Sequence, residues 1–393
     1  MHRYAFILGR KWKLSVAELI AVFGDENIEV NKDVLIKGFD KPLVDVQKIQ
    51  DSLGGVIKIC EIIDESTLLS GIQDRILDYL SGLPTGKLIF AVNVYNLPPG
   101  NENFLKKLLI NIKKGLKGHE GKVRFLNKPN ENIKSVVIYE ERLDEKGTDL
   151  SVIFSNGKYL IAKTVSVQNF MDYSIRDYER PARDTKSGML PPKVAQMMIN
   201  LACGNNTNCT VYDPFCGSGT VLMEGALMGH KVMGSDISPK AISDTKINLE
   251  WIKKEFKLTG DLVLDVFEKD ATGITKNDLK ITPDCIVAET FLGPPITRIP
   301  DESTIKTTFT EVEEIIVKAI NNFKQFLKKG SKVVLAVPFY ISQRNIFMEN
   351  LPVHIENSGY KIESLYECTQ RGSLLYDRED QKVGREIFVL KLY

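Results

Sequence analysis

From about residue 176 onward the chain repeats one pattern: a short apolar stretch, a turn, then a helix-length amphipathic stretch. Few architectures satisfy that repetition, because parallel neighbours need a crossover and the crossover helices must cover both faces of the sheet. The pattern predicts strands at 209–213, 231–236, 263–269, 284–289, 332–338, 361–367 and 386–392, with helices at about 192–203, 219–228, 239–255, 308–329 and 342–358. The last two strands are joined by a polar stretch, RGSLLYDREDQKVGRE, too short to hold a crossover helix, so they are expected to run antiparallel. The expected fold class is therefore α/β, a doubly wound sheet of seven strands with the last one reversed.

The preceding residues read differently. A strand at 3–9, a helix opened by Ser15 with Glu18 completing a capping box, strands at 27–31 and 33–38, a helix near 43–52 and a strand at 55–63 give the order βαββαβ. That order is a small ferredoxin-like α+β unit. A helix at 70–80 leads to the break SGLPTG at 81–86. A second α+β stretch follows, with strands near 87–94, 122–126, 134–140, 149–155 and 158–165. Its helix at 103–116 turns Phe104, Leu105, Leu108, Leu109 and Ile112 inward and carries Lys106, Lys107, Lys113 and Lys114, with Lys117 just beyond. That lysine face either tracks phosphates or is an ordinary solvated side. The expected domains are 1–80, 81–170 and 171–393.

A length of 393 residues exceeds one hydrophobic core. Apolar residues at 43% and charged residues at 26% fit a soluble globular chain. No apolar run could span a bilayer and the start lacks a signal-peptide pattern, so a cytoplasmic location is expected. The net charge of +1 neither demands nor forbids a nucleic-acid partner. Six cysteines (Cys60, Cys203, Cys209, Cys216, Cys285, Cys368) show no CxxC pair and no clustered histidine, so buried reduced thiols are expected and no metal site.

The most informative string is Val211-Tyr212-Asp213-Pro214-Phe215-Cys216-Gly217-Ser218-Gly219-Thr220. A buried strand ends in an acid, turns through glycines that let a ligand approach the backbone, and enters a helix. Asp213 can meet a ligand ammonium. Asp236, ending the next strand, can reach ribose hydroxyls, and Asp270, after the third, can accept from an adenine amino group. Any one of these acids alone would be read as a helix cap. Together with the glycine turn they fit an adenosine-containing ligand. A P-loop is excluded because GxxxxGK[ST] is absent, and a dinucleotide fingerprint fails because Leu222 stands where its third glycine belongs.

DPFCGSGT resembles motif I of the amino-group methyltransferases that act on nucleic acid, with Asp236 and Asp270 at the matching second and third acidic positions. Upstream, Arg180-Pro181-Ala182-Arg183-Asp184 leads into Gly188-Met189-Leu190-Pro191-Pro192-Lys193, which resembles motif X. With two small domains ahead of RDYERPARD, the whole chain resembles the THUMP-domain-containing tRNA guanosine-N2 methyltransferases. That resemblance implies a Rossmann-like class I methyltransferase domain at 171–393, a ferredoxin-like domain at 1–80 and a THUMP-like RNA-binding domain at 81–170. It implies S-adenosylmethionine as cofactor and tRNA as partner. Cofactor-binding positions would be Asp213, Phe215, Gly217, Gly219, Thr220, Asp236, Ile237, Asp270, Ala271, Gly188 and Leu190.

One departure concerns the chemistry. After the fourth strand the family carries Asp/Asn-Pro-Pro-Tyr/Phe, whereas here the chain reads Val287-Ala288-Glu289-Thr290-Phe291-Leu292-Gly293-Pro294-Pro295. Aligning Phe291 with the motif aromatic puts Ala288 in the acid's place; sliding by one puts Glu289 there. Glu289 as acceptor and Phe291 as stacking ring are the expected catalytic pair, because an exocyclic amine must localise its lone pair and its base must leave the stack. The bland alternative is that Glu289 caps a loop. Two rivals stand beside the tRNA reading: a DNA amino-methyltransferase of the same fold, and an RNA-binding protein that keeps the pocket without turnover. Whether a small activating subunit is needed is open.

Overall fold

Asn156 and Gly157 both adopt positive φ (46° and 76°) between strands that pair Ser155 with Lys158, the two-residue Asn-Gly turn whose twist matches a hairpin. That hairpin is one of the local signals on which the first part of the chain is built. The computed structural model describes residues 1–84, 86–118, 121–128, 130–183, 189–379 and 381–393. Met1–Trp12, Asp25–Ser52 and Val56–Phe170 form one compact unit, and Lys13–Gly24, Leu53–Gly55 and Met171–Tyr393 form another.

Through residue 170 the elements are β1 (His2–Leu8), α1 (Trp12–Phe23), β2 (Ile28–Asn31), β3 (Val34–Phe39), α2 (Val46–Ser52), β4 (Val56–Ser66), α3 (Ile72–Ser81), β5 (Leu88–Tyr95), α4 (Phe104–Gly115), β6 (Val123–Phe125), α5 (Ser135–Glu140), β7 (Thr148–Ser155) and β8 (Lys158–Val167). The strands pair in the order β2-β3-β1-β4-β8-β7-β5-β6. The stretches expected as domains 1–80 and 81–170 therefore share one sheet, joined where β4 runs antiparallel to β8 from Lys58↔Val167 to Ser66↔Tyr159. Boundaries drawn from element order could not show this, because the joining strand comes about a hundred residues after its partner.

At the middle of that sheet lies a buried ion pair. Lys58 Nζ donates to Asp149 Oδ2 at 2.5 Å and to Ser151 Oγ at 3.1 Å. Asn93 Nδ2 and Thr164 Oγ1 also donate to Asp149, at 2.7 and 2.5 Å. Burial alone would lower the Lys58 ammonium, but Asp149 outweighs it and the group is raised. On α4, Leu105, Leu108, Leu109 and Ile112 are buried against Phe90 and Val92 of β5, while Lys106, Lys107, Lys113 and Lys114 are exposed, as the periodicity predicts.

The second unit adds α6 (Phe170–Ser174, its first residue closing the first unit), α7 (Pro192–Cys203), β9 (Thr210–Asp213), α8 (Thr220–Leu227), β10 (Lys231–Asp236), α9 (Pro239–Glu255), β11 (Val263–Glu268), β12 (Cys285–Glu289), α10 (Glu302–Phe323), β13 (Lys332–Tyr340), α11 (Leu351–Asn357), β14 (Tyr360–Ile362), β15 (Leu374–Tyr376) and β16 (Val383–Leu392). Strand order is β11-β10-β9-β12-β13-β16-β14, with β15 paired to β16 off that path. β9 to β13 run parallel, and β16 is antiparallel to β13, β14 and β15. The doubly wound sheet with a reversed last strand is as expected; β15 is an addition to it. Its near-continuous apolar strands suit a sheet covered on both faces. One layer holds Ile286, Ile316, Phe323, Leu335 and Phe388, and the other holds Val194, Met198, Val287, Val334 and Val389. Truncating a ring such as Phe388 to alanine would cost about 3–5 kcal/mol.

Three local expectations fail. Helix α1 begins at Trp12, so Ser15 and Glu18 lie inside it and form no cap. Glu18 is buried and accepts from the backbone N–H groups of Gly54 and Gly55 at 2.8 and 2.9 Å and from Asn200 Nδ2 at 2.7 Å. Residues 134–140, read as a strand, form α5, and the expected helix at 342–358 shortens to α11.

Candidate active site

Four parallel strands end in acids, β9 in Asp213, β10 in Asp236, β11 in Glu268 and β12 in Glu289, and three of these, β10, β9 and β12, are adjacent. The carboxyl ends of such strands, where the strand order switches direction, are where open α/β sheets hold ligands. Here β9 is that switch, flanked by β10 on one side and β12 on the other.

The turn after β9 is built by its glycines and by Asp213. Gly217 and Gly219 take φ values of +52° and +85°, and a Cβ on Gly219 would stand 3.0 Å from Thr245. Asp213 Oδ1 accepts from Phe215 N at 3.0 Å, which tightens the turn at its start. Asp213 is buried, and burial raises its carboxyl well above the ordinary range; the nearby charges of Asp236 and Glu289 push the same way, opposed by the Phe215 N–H. The chain thus holds a buried acid close to two other acids at the mouth of a glycine turn. A cation arriving there would relieve all three.

Asp236 faces the turn directly. Its Oδ2 accepts from Gly217 N at 3.0 Å and its Oδ1 from Ser238 N at 2.9 Å. Each oxygen retains a second lone pair that can accept from a diol. Asp270 lies two residues beyond β11 and is exposed, with Oδ1 accepting from Thr272 N and Oγ1, both at 2.8 Å. The charges of Asp236 and Glu289 act on Asp213, and Asp270 follows β11, the outer strand of the sheet.

Glu289 has a partner that sequence reading missed. Arg385 Nε, on β16, donates to Glu289 Oε1 at 2.8 Å, and Arg385 Nη1 donates to Gln381 Oε1 at 3.0 Å. Burial raises the Glu289 carboxyl and Arg385 pulls it back. Thr290 continues the backbone ladder by donating to Ala336 O at 3.0 Å, and Phe291 beyond it is 50% exposed.

The segment before α7 is pinned to the same turn. Arg180 is buried, and its Nη1 donates at 2.7 Å to Oγ1 of Thr220, the first residue of α8. Asn248 accepts from Ala182 N and donates to Ala182 O and Ser218 O, at 2.9, 2.8 and 2.8 Å. Arg180 Nε and Nη2 are buried without hydrogen bonds, although Asp177 Oδ1 lies 3.8 Å from Nη2. Neither Arg385 nor Asn248 has a local signal: each is recognised only once distant strands and helices meet.

The remaining expected positions divide. Ile237 is 68% exposed beside Asp236, and Phe215 is half-buried against the core. Ala271 and Leu190 are core residues, at 4% exposure each, Leu190 packed among Val194, Met198 and Val211. Gly188 and Asp184 lie outside the described residues. A 380 Å³ cavity elsewhere, lined by Leu249, Ile252, Leu258 and Val266 with Lys246 and Glu250, contains none of the acids.

Among known proteins, the RMKL-like methyltransferase domain family matches residues 180–280. A tRNA (guanine(10)-N2)-dimethyltransferase of Methanothermobacter thermautotrophicus is 24% identical over 212 residues, 54% of this chain and 56% of that protein. The chain thus spans about half the length of that relative. A protein of Methanothermococcus thermolithotrophicus named “Probable tRNA (guanine(10)-N2)-dimethyltransferase” is 30% identical over 178 residues, 45% of this chain and 99% of that one. The crystal structure of TrmN from Thermus thermophilus aligns over 100% of both chains with a TM-score of 0.53 at 14% identity, a likeness of fold. Resting on the relative matched over nearly its whole length, the conclusion is that this chain belongs to the tRNA guanine-N2 methyltransferase family.

Proposed function

We propose that the chain is an S-adenosylmethionine-dependent tRNA methyltransferase acting on the exocyclic N2 amine of a guanosine. The observation that carries this reading is the grouping of Asp213, Asp236 and Glu289 at the carboxyl ends of three adjacent strands, with Asp236 accepting from Gly217 N of the glycine turn. The residues fit the cofactor. Among the described residues no cation pairs with buried Asp213, which suits an ammonium; Asp236 suits the ribose hydroxyls, and Asp270 with Ile237 suits the adenine. The spare Arg180 donors suit the carboxylate. Bound there, S-adenosylmethionine supplies an electrophilic sulfonium methyl and leaves as a thioether.

The chain's own residues do the rest. Phe291, exposed beyond β12, stacks the extruded guanine, since an amine within a duplex is out of reach. Glu289 Oε2 accepts an N–H of the amine, localises its lone pair and takes the proton lost on transfer. Arg385 occupies Oε1 and keeps the carboxylate ionised and aimed. Positioning of this kind accounts for most of such an in-line displacement.

Residues 1–170, as ferredoxin-like (1–80) and THUMP-like (81–170) halves of one sheet, would grip the tRNA, with the exposed lysines of α4 meeting phosphates. The relatives' names specify guanine 10 and two methyl groups, and both are adopted as the form to test. Incubating the chain with labelled cofactor and either tRNA or DNA decides the matter. Label in tRNA guanosine supports the proposal. Label only in DNA, or cofactor binding without transfer to either, would replace it with a DNA enzyme or a non-catalytic binder.

A further inference from the structure

The amino ends of the same three strands carry a second cluster. Cys209 immediately precedes β9, His230 immediately precedes β10, Cys285 opens β12, and Cys203 closes α7. From the end of α7 and the starts of two strands, Cys203, Cys209 and His230 bring their ligand atoms within 4.8 Å of one another. Cys285 Sγ adds to them, 3.7 Å from Cys203 Sγ. Cys209, His230 and Cys285 are buried and Cys203 is partly so.

The geometry points to a structural metal site of the Cys3His type, with Cys203, Cys209, Cys285 and His230 holding one zinc ion. Thiolate sulfurs about 2.3 Å from a tetrahedral zinc stand about 3.8 Å from each other. The Cys203–Cys285 separation of 3.7 Å already matches that edge. It is far longer than the ~2.05 Å of a disulfide. His230 Nδ1 accepts from Cys209 N at 3.2 Å, so a nitrogen lone pair is already turned toward the cysteine segment, and coordination exchanges that N–H for the metal. On binding, the three thiols release their protons to solvent and the hydrated ion gives up its waters; no electron moves.

The site's place in the fold gives it a role. One ion would tie the end of α7 to the starts of β9, β10 and β12, the strands whose far ends bear Asp213, Asp236 and Glu289. The metal lies at the opposite end of the sheet from the acids and touches none of them. It fixes the register of the strands that position the cofactor acids and takes no part in methyl transfer.

The test uses the full chain, purified under reductant without chelator and assayed by plasma mass spectrometry for metal. The expected result is about one zinc per chain. Chelator-stripped protein titrated with Co2+ should then develop thiolate-to-cobalt charge transfer and intense tetrahedral d–d absorption, saturating near one equivalent. Cys285→Ser should weaken the charge-transfer band, and Cys368→Ser, outside the cluster, should leave it intact. Because the titration is read on the unmutated chain, a variant that fails to fold does not remove the test. Substoichiometric metal with no cobalt charge transfer would overturn the proposal.

Discussion

Replacing Arg385 by methionine removes the one charge that, among the described residues, is set against the Glu289 carboxylate, while keeping a side chain of similar length. Breaking a buried pair from one side costs about 3–5 kcal/mol. Glu289 retains 16% side-chain exposure and Arg385 3%, so the low end, about 3 kcal/mol, applies. At about 1.4 kcal/mol per tenfold, that corresponds to roughly a hundredfold loss of methyl transfer at neutral pH if Glu289 must be ionised to accept the amine proton. The pH dependence carries more information than the loss. Burial already raises the Glu289 carboxyl, and without Arg385 it rises further. The acid limb of the rate profile should therefore move to higher pH, and part of the lost rate should return as pH is raised. Stability should move the opposite way. A carboxyl raised in the folded state stabilises the fold while protonated and loses that contribution as pH climbs through its folded pKa, so the variant should unfold more readily in base. Initial rates and thermal melts from about pH 6 to 9 read both trends. A variant with the parent's pH–rate profile would refute the assignment of Arg385 as the group holding Glu289 ionised.

Other consequences follow from the same contacts. Asp236→Ala removes acceptors already aligned by Gly217 and Ser238, and calorimetry should show cofactor affinity falling about tenfold to a hundredfold. Gly219→Ala, at φ +85° and 3.0 Å from Thr245, should lower both stability and cofactor binding, by about 1–2 kcal/mol from the backbone alone. Glu18, whose carboxyl burial pushes up to about 7 against its Asn200, Gly55 and Gly54 hydrogen bonds, should make stability decline as pH rises through about 7, and Glu18→Gln should flatten that dependence in denaturant melts. Charge reversal of Lys106, Lys107, Lys113 and Lys114 should weaken tRNA binding and reduce its salt dependence; filter binding at two ionic strengths would show an unchanged slope if α4 is merely solvated.

What the sequence made legible was local chemistry. The strand–acid–glycine–helix string signals its own geometry, because a tight turn with positive φ at 217 and 219 favours glycine over other residues. The Asn-Gly hairpin and the amphipathic face of α4 are equally self-contained. The misreadings share a different cause. Glu18 looks like a capping-box residue until Gly54, Gly55 and Asn200 arrive from elsewhere to claim its carboxylate. The β-branched stretch near 135–140 reads as a strand, yet it forms a helix that buries Ile138 with Leu143 and Val167, where packing overrides propensity. Arg385 lies 96 residues after Glu289. The cysteines around His230 carry no metal-ligand spacing, because separate secondary-structure elements, rather than one loop, bring them together.

The most direct test of the account is nucleoside mass spectrometry of unmodified tRNA incubated with the chain and cofactor bearing a deuterated methyl group. The account predicts the heavy methyl on N2 of guanosine, first singly and then doubly, with the product lost in Glu289→Gln while cofactor binding persists. Deuterium on any other nucleoside, or full transfer by Glu289→Gln, would contradict it.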